Sequence, residues 1–383
     1  MKKIYLFACA TLLAFSGCTN EISEDGFVDK TNAISFNAYP TKSRVVTGDV
    51  TTDNMKADNF GVVGYKSDNS IYLYTGSNSA VEQEWQASGE SGSWEYSNMG
   101  DLKFWPNGSM DFYAYFPYSD NATFAESDAS GDVMTIPVDC SHDVLFAYAG
   151  NQNKQDRVPL TFHHAFAKMK KLTIEMPADG ILYQSNCQIE VQKVEFINTS
   201  TKGNIKVNGS GKASSDVDNS NDETLKKDLS TSPVTVNKDT EPGTLINNSN
   251  DASEGYFFAT NDDPVNDVMG TGKAMWDGGS ITGQLSTSNL VCLKLTCKVW
   301  NGTSHYYVGS ASTYGEIYIP VTGNDTDPSK NITTFNAGKR YTYKIVMKDN
   351  VGYTDEGDPI LTPILFSVTS VDAWEDVEVT ITL

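Results

Sequence analysis

The sequence predicts an all-β chain folded as two tandem sandwich-type domains, and three observations carry that prediction. Short runs of alternating apolar and polar residues recur at close spacing, separated by clusters of Gly, Pro, Asn, Asp and Ser. No amphipathic helical pattern of twelve or more residues occurs; the best helical candidate, Ala165–Lys171, sits between strand-like runs. Of the 383 residues, 39% are hydrophobic and 11% aromatic, enough to fill real cores, while only 20% are charged. That length suits two or three domains.

The elements follow in order. Lys2 and Lys3 precede an apolar run, Ile4–Phe15, that is too short to span a bilayer. Ser16-Gly17-Cys18 then matches a bacterial lipobox, in which the cysteine is acylated and becomes the mature N-terminus; Phe15 stands where Leu is usual. The leader is therefore 1–17, and lipid chains on Cys18 would hold the protein on a membrane at about 0.8 kcal/mol per buried CH₂. Residues 19–32 are polar and read as a tether. Ile34, Phe36 and Ala38 alternate with Ser35, Asn37 and Tyr39 before Pro40 ends the run, which makes a short strand. A stretch rich in Thr, Asp and Gly follows to Asn54.

Strand-like runs then fall at Phe60–Tyr65, Ile71–Tyr74, Trp94–Tyr96, Met110–Phe116, Val133–Val138 and Val144–Tyr148. Regular short strands with turn signals predict a sandwich or barrel. A polar break at residues 150–157 places a domain boundary near 150–158. A second series runs from Leu160–Phe166 to Val377–Leu383, including Ser280–Leu285 and Leu290–Trp300. Residues 209–253 are poor in apolar side chains and read as a mobile surface insertion.

Composition and motifs limit the chemistry. A formal net charge of −21 repels phosphate backbones, which argues against nucleic-acid binding. No nucleophile elbow, P-loop, zinc-protease or dinucleotide motif occurs, so no catalytic residue, cofactor or metal is expected. Cys140, Cys187, Cys292 and Cys297 lack metal-ligand spacing and read as buried free thiols, with a Cys140–Cys187 bridge as the alternative. His163-His164 reads as packing or hydrogen bonding before metal binding, since adjacent strand residues face opposite ways. Asn261-Asp262-Asp263 lacks the spacing of a calcium loop. Trp85, Trp94, Trp105 and Tyr113 read as core before sugar-stacking surface.

Four stretches carry a family resemblance: LKFWPNGSMDFYAYFPYS (102–119), VPLTFHHAFAKMKKLTIEM (158–176), FNAGKRYTYKIVM (335–347) and ILFSVTSVDAWEDVEVTITL (364–383). Together, and in this order, they resemble the fimbrillins, the type V pilins of Gram-negative bacteria. The resemblance implies two transthyretin-like β-sandwich domains, here 45–156 and 157–383 with the 209–253 insertion, behind a lipid-anchored propeptide, 18–44. It implies a structural subunit of a cell-surface fimbrium that supports adhesion and is not an enzyme. It also implies an outer-membrane lipoprotein precursor that a trypsin-like surface protease cuts after a basic residue. Here that residue is Arg44, leaving Val45 as the new N-terminus, with Lys42 and Arg157 as rival sites.

Cutting would remove the strand carrying Ile34, Phe36 and Ala38 and open a groove for a strand of another pilin subunit, an instance of strand addition. The C-terminal tail offers a donor, with Val377, Val379, Ile381 and Leu383 on one face; it reads equally as the last strand of its own domain. Two alternatives stand beside the structural subunit. One is a tip or accessory adhesin touching a host glycan or protein. The other is an uncleaved surface glycan-binding lipoprotein.

Overall fold

The computed structural model describes residues 32–40, 52–76, 79–88, 91–119, 121–125, 131–217, 224–248, 254–260, 270–302, 305–322, 332–360, 365–370 and 376–382. The chain is all-β. In its first part the strands are β1 (Phe36–Pro40), β2 (Phe60–Lys66), β3 (Ile71–Leu73), β4 (Val81–Ser88), β5 (Ser91–Tyr96), β6 (Met110–Phe116), β7 (Thr123–Phe124), β8 (Asp132–Val138), β9 (Leu145–Gln152) and β10 (Val158–His164). Then come β11 (Phe166–Glu175), β12 (Cys187–Ile197), β13 (Gly203–Asn208), β14 (Ala213–Val217), β15 (Leu225–Asp228), β16 (Val234–Asn237), β17 (Gly243–Asn247) and β18 (Tyr256–Phe258). The last are β19 (Cys292–Asn301), β20 (His305–Val308), β21 (Gly315–Ile319), β22 (Arg340–Val346), β23 (Leu365–Ser370) and β24 (Asp376–Thr382).

One sheet has the order β1-β10-β9-β6-β2-β4-β5, with β3 on β2. It coils until its end strands, β1 and β5, touch. The enclosed face buries Phe36, Phe60, Trp94, Phe112, Leu145 and Phe162. On the other face Tyr65, Tyr113, Tyr115 and Phe146 pack against Met134 and Ile136 of β8 and Ile205 and Val207 of β13. Strand β6 is thus buried on both faces, which is why its sequence reads MDFYAYF almost without a polar break.

Strands β14 and β7 extend the facing layer of β8 and β13 in the order β14-β13-β8-β7, and β11, β12 and β15 to β24 form a second sandwich. One layer is β17-β11-β22-β24-β23 with β18 on β11, and the other is β15-β12-β19-β20 with β16 on β12 and β21 on β19. Leu172, Ile174, Tyr343 and Ile345 of the first layer share a core with Val194, Phe196, Leu293 and Leu295 of the second.

Several expectations meet a different structure. Residues 209–253 hold β14 to β17 rather than an unstructured insertion. Each of these strands buries only one or two apolar side chains, Ala213, Leu225, Val236 and the pair Leu245 and Ile246, too few to show a period. The helical candidate Ala165–Lys171 lies, from Phe166 on, in β11, paired on one side with β22 and on the other with β17 and β18, so tertiary pairing overrides its local pattern. Ser280–Leu285 contains no strand; a 3₁₀ turn, Leu285–Thr287, buries Leu285 instead. Strand β4 (VEQEWQAS) went unseen in the sequence because its second half is polar and half-exposed or exposed. Strand partners change at Ala165, between β10 of the first sheet and β11 of the second sandwich. Cys140, Cys187, Cys292 and Cys297 are all free and buried, with no bridge between Cys140 and Cys187. Burial pushes all four thiols above their ordinary pKa.

Candidate functional site

Strand β1 occupies one end of the coiled sheet and, among the described residues, pairs with a single neighbour. It runs parallel to β10, with Phe36 opposite Val158, Ala38 opposite Leu160 and Pro40 opposite Phe162. The alternation of ISFNAYP sets what it buries. Ile34 and Phe36 are 0% exposed, whereas Tyr39, pointing the other way, is 44% exposed. The Phe36 ring meets Phe112 edge-on at 5.4 Å and Phe60 at 6.3 Å.

Just before β1 the chain changes partner. Ile34 N–H donates to Lys103 O at 2.9 Å and Trp105 N–H donates to Asn32 O at 3.1 Å. The segment Lys103–Trp105 belongs to the KFWP stretch singled out in the sequence, so that turn is the seat of the residues leading into β1. Polar contacts from the 150s complete the grip. Val158 N–H donates to Ser35 O at 2.8 Å, and the Ser35 hydroxyl donates to Asp156 O at 2.5 Å. Lys154 Nζ donates to Asn32 Oδ1. The Tyr96 hydroxyl donates to Ile34 O, and burial holds that phenol far above its ordinary pKa.

Arg157, a rival cleavage residue in the sequence, is part of this grip. Its Nη1 donates to Phe36 O at 3.3 Å and its Nη2 lies 3.7 Å from Glu95 Oε1. Sequence reasoning missed Arg157 and Tyr96 because both act on β1 through contacts far apart in the chain. Only the KFWP motif carried a local signal.

The other sequence-derived residues divide as follows. Ile34, Phe36 and Ala38 come together in the first sheet's enclosed core. Cys18, Lys42, Arg44, Val45, Asn261, Asp262, Asp263 and Leu383 lie outside the described residues. Val377, Val379 and Ile381 belong to β24, whose backbone pairs in parallel with β22 and antiparallel with β23.

Trp94 and Tyr113 are buried, while Trp85 and Trp105 are half-buried against Trp94 and Phe112. His163 sits beside the Phe146 ring, and His164 Nδ1 and Asp143 Oδ2 are 2.7 Å apart in a buried pair. Among the described residues no group of three or more His, Cys, Asp or Glu could hold a metal ion, and no helix is long and apolar enough to cross a membrane.

What this arrangement can do is mechanical. Among the described residues β1 is paired along one edge, and together with the residues leading into it fills an apolar groove with Ile34, Phe36 and Ala38. Its loss would leave the β10 edge unpaired and uncover Phe60, Phe112 and Phe162. Burial of Ile34 and Phe36 corresponds to about 3–6 kcal/mol of transfer free energy.

Residues 43–358 match a family described as fimbrillin-like. Among solved structures, a fimbrial protein from Bacteroides vulgatus is 15% identical, with 91% of this chain and 97% of that one covered and a TM-score of 0.43. A fimbrilin from Porphyromonas gingivalis is 11% identical, with 91% and 96% covered and a TM-score of 0.35. No curated protein matches the chain.

Proposed function

The chain belongs to the fimbrillin-like family, and from that premise we propose that it is a structural pilus subunit whose first strand is a removable plug. In this reading Cys18 is lipidated and holds the precursor on the outer membrane, with residues 18–44 as its propeptide. A trypsin-like surface protease cuts after Arg44, and β1 leaves with the excised segment. A strand from another pilin subunit then fills the groove. The supporting observation is the seat of β1: Ile34 and Phe36 are fully buried, yet among the described residues the strand has β10 as its sole ladder partner. Fimbrillins are structural proteins, and no catalytic step is assigned to this one.

The test is trypsin treatment of the chain purified without its leader, followed by N-terminal sequencing and electron microscopy. A new N-terminus at Val45 together with fibres supports the reading. Resistance at Arg44, with β1 still protected, overturns it.

One observation favours a second reading, a tip or accessory adhesin. Strand β24 is paired on both sides within its own layer, so a tail that donates must first break that pairing. A tip subunit has no such need. A clean cut at Arg44 that yields no polymer selects the tip subunit.

A further inference from the structure

A second concavity lies away from the first strand, where the turn after β12, the 3₁₀ turn Leu285–Thr287 and the segment 271–273 meet. It has a volume of ≈ 510 Å³ and is lined by Asn198, Thr271, Lys273, Thr287, Ser288 and Asn289, among others. We propose that this pocket binds an acidic sugar, a ring bearing a carboxylate or sulfate group, with Lys273 facing the acid and the surrounding hydroxyl and amide groups facing the ring hydroxyls.

Three features carry this. The first is charge. The chain is −21 overall, yet among the described residues the pocket's lining contains one cation and no carboxylate. Asp355 is held by the lining residue Ser286, which donates to both of its oxygens, through N–H at 2.7 Å and through Oγ at 2.5 Å. A cation in a lining without acids selects for anions.

The second feature is an ammonium without a counter-charge among the described residues. Lys273 is half-buried and makes no ion pair or hydrogen bond among the described residues. Burial alone draws its ammonium pKa down, as expected of a desolvated cation without a counter-charge. Thr271 Oγ1 is shielded from solvent and has no hydrogen-bond partner among the described residues. A desolvated ammonium gains from an incoming anionic acceptor.

The third feature is size and polarity. The lining is rich in Ser, Thr and Asn, with Val217 as its apolar member. The volume lies within the usual range for small-ligand sites, about 300–1,000 Å³. Polar walls of this kind suit a hydroxylated ring better than an apolar ligand. The site is independent of strand removal, so it serves a stalk subunit and a tip subunit alike.

The experiment is calorimetric titration of the uncut chain, purified without its leader, with N-acetylneuraminic acid and galactose 6-sulfate. Neutral galactose and inorganic sulfate serve as comparison probes. Binding of at least one acidic sugar with Kd of about 1 mM or tighter is expected. Lys273→Gln should weaken it about tenfold or more at an unchanged melting temperature, and Lys273→Arg should retain it. Failure of both acidic sugars to bind overturns the proposal, as does binding that Lys273→Gln leaves intact. Inorganic sulfate binding as tightly as the acidic sugars reduces the pocket to an anion site and overturns the sugar assignment. Binding that emerges only when Asp262, Asp263 and Asp267 are all replaced by Asn shows that the chain's own carboxylates occupy the pocket, and also overturns it. Because the chain is uncut throughout, none of these outcomes depends on cleavage at Arg44.

Discussion

The Tyr96 hydroxyl donates to the carbonyl oxygen of Ile34 at 3.0 Å, a buried bond joining residues 62 positions apart. It links the last residue of β5 to the segment entering β1 and so closes the two ends of the coiled sheet on each other. Tyr96→Phe removes the donor and leaves a buried carbonyl without its partner. The expected loss is about 1–3 kcal/mol in the intact precursor, read as a shift in the urea unfolding midpoint. After trypsin removes the segment carrying Ile34, the same substitution should cost almost nothing. An equal loss in cut and uncut chains would show that Tyr96 acts elsewhere.

Phe36→Ala tests the plug itself. The ring contacts Phe112 and Phe60 and is fully buried, so truncation leaves a cavity in the enclosed core and costs about 3–5 kcal/mol. Limited proteolysis should report it a second way. The variant should be cut faster at Arg44, because β1 detaches more often and carries the neighbouring chain with it. Unchanged cutting and unchanged stability together would remove Phe36 from the mechanism.

Glu195 supplies a pH dependence on the opposite sandwich. Burial alone would raise its carboxyl pKa, but hydrogen bonds from Lys193 and Lys294 outweigh that and hold it below the ordinary value of 4.5. The Lys193 and Lys294 ammonium groups lie 2.8 and 3.0 Å from its oxygens, the latter directly across the β12–β19 ladder. A carboxylate with a lowered folded pKa stabilises the fold above the unfolded value, and that contribution disappears as pH falls through the folded value. With solvent screening the pair contributes about 1 kcal/mol. Glu195→Gln should therefore lower the urea midpoint at pH 7, and the difference from the parent should shrink as pH falls through the lowered folded pKa of Glu195.

The continuous apolar runs Phe60–Tyr65 and Met110–Phe116, buried on both faces, and the alternation in β10 (Val158–His164) made the first sheet legible. The KFWP turn was legible too, and it proved to seat the approach to β1. Other elements could not be read because their cause is not local. Gly203–Asn208 pairs with Asp132–Val138, a relationship that neither segment's composition announces. Arg157 looked like an exposed protease site because nothing near it in sequence identifies Phe36 O as its acceptor. Strands β14 to β17 lie in polar sequence and hold their places through pairing with β13, β12 and β11, so periodicity had little to detect.

The β13–β14 hairpin yields the sharpest packing test, at Gly211. Its φ is +80°, a conformation that costs an ordinary residue about 1–2 kcal/mol. A Cβ there would also sit 2.0 Å from Tyr148 Cδ1 and 2.8 Å from Tyr148 Cβ, the root of the ring rather than its free end. Tyr148 cannot swing aside easily, because its ring packs on Tyr113 at 5.0 Å and the Tyr113 hydroxyl bonds Gly209 O at 3.0 Å. Gly211→Ala should thus cost about 2–4 kcal/mol and speed amide exchange across β13 and β14. Gly76→Ala is the control, with a φ of +52° but no atom of the described residues within 4 Å of the added Cβ. It should show the backbone cost alone. If the two substitutions destabilise equally, the hairpin is not held by its contact with Tyr148.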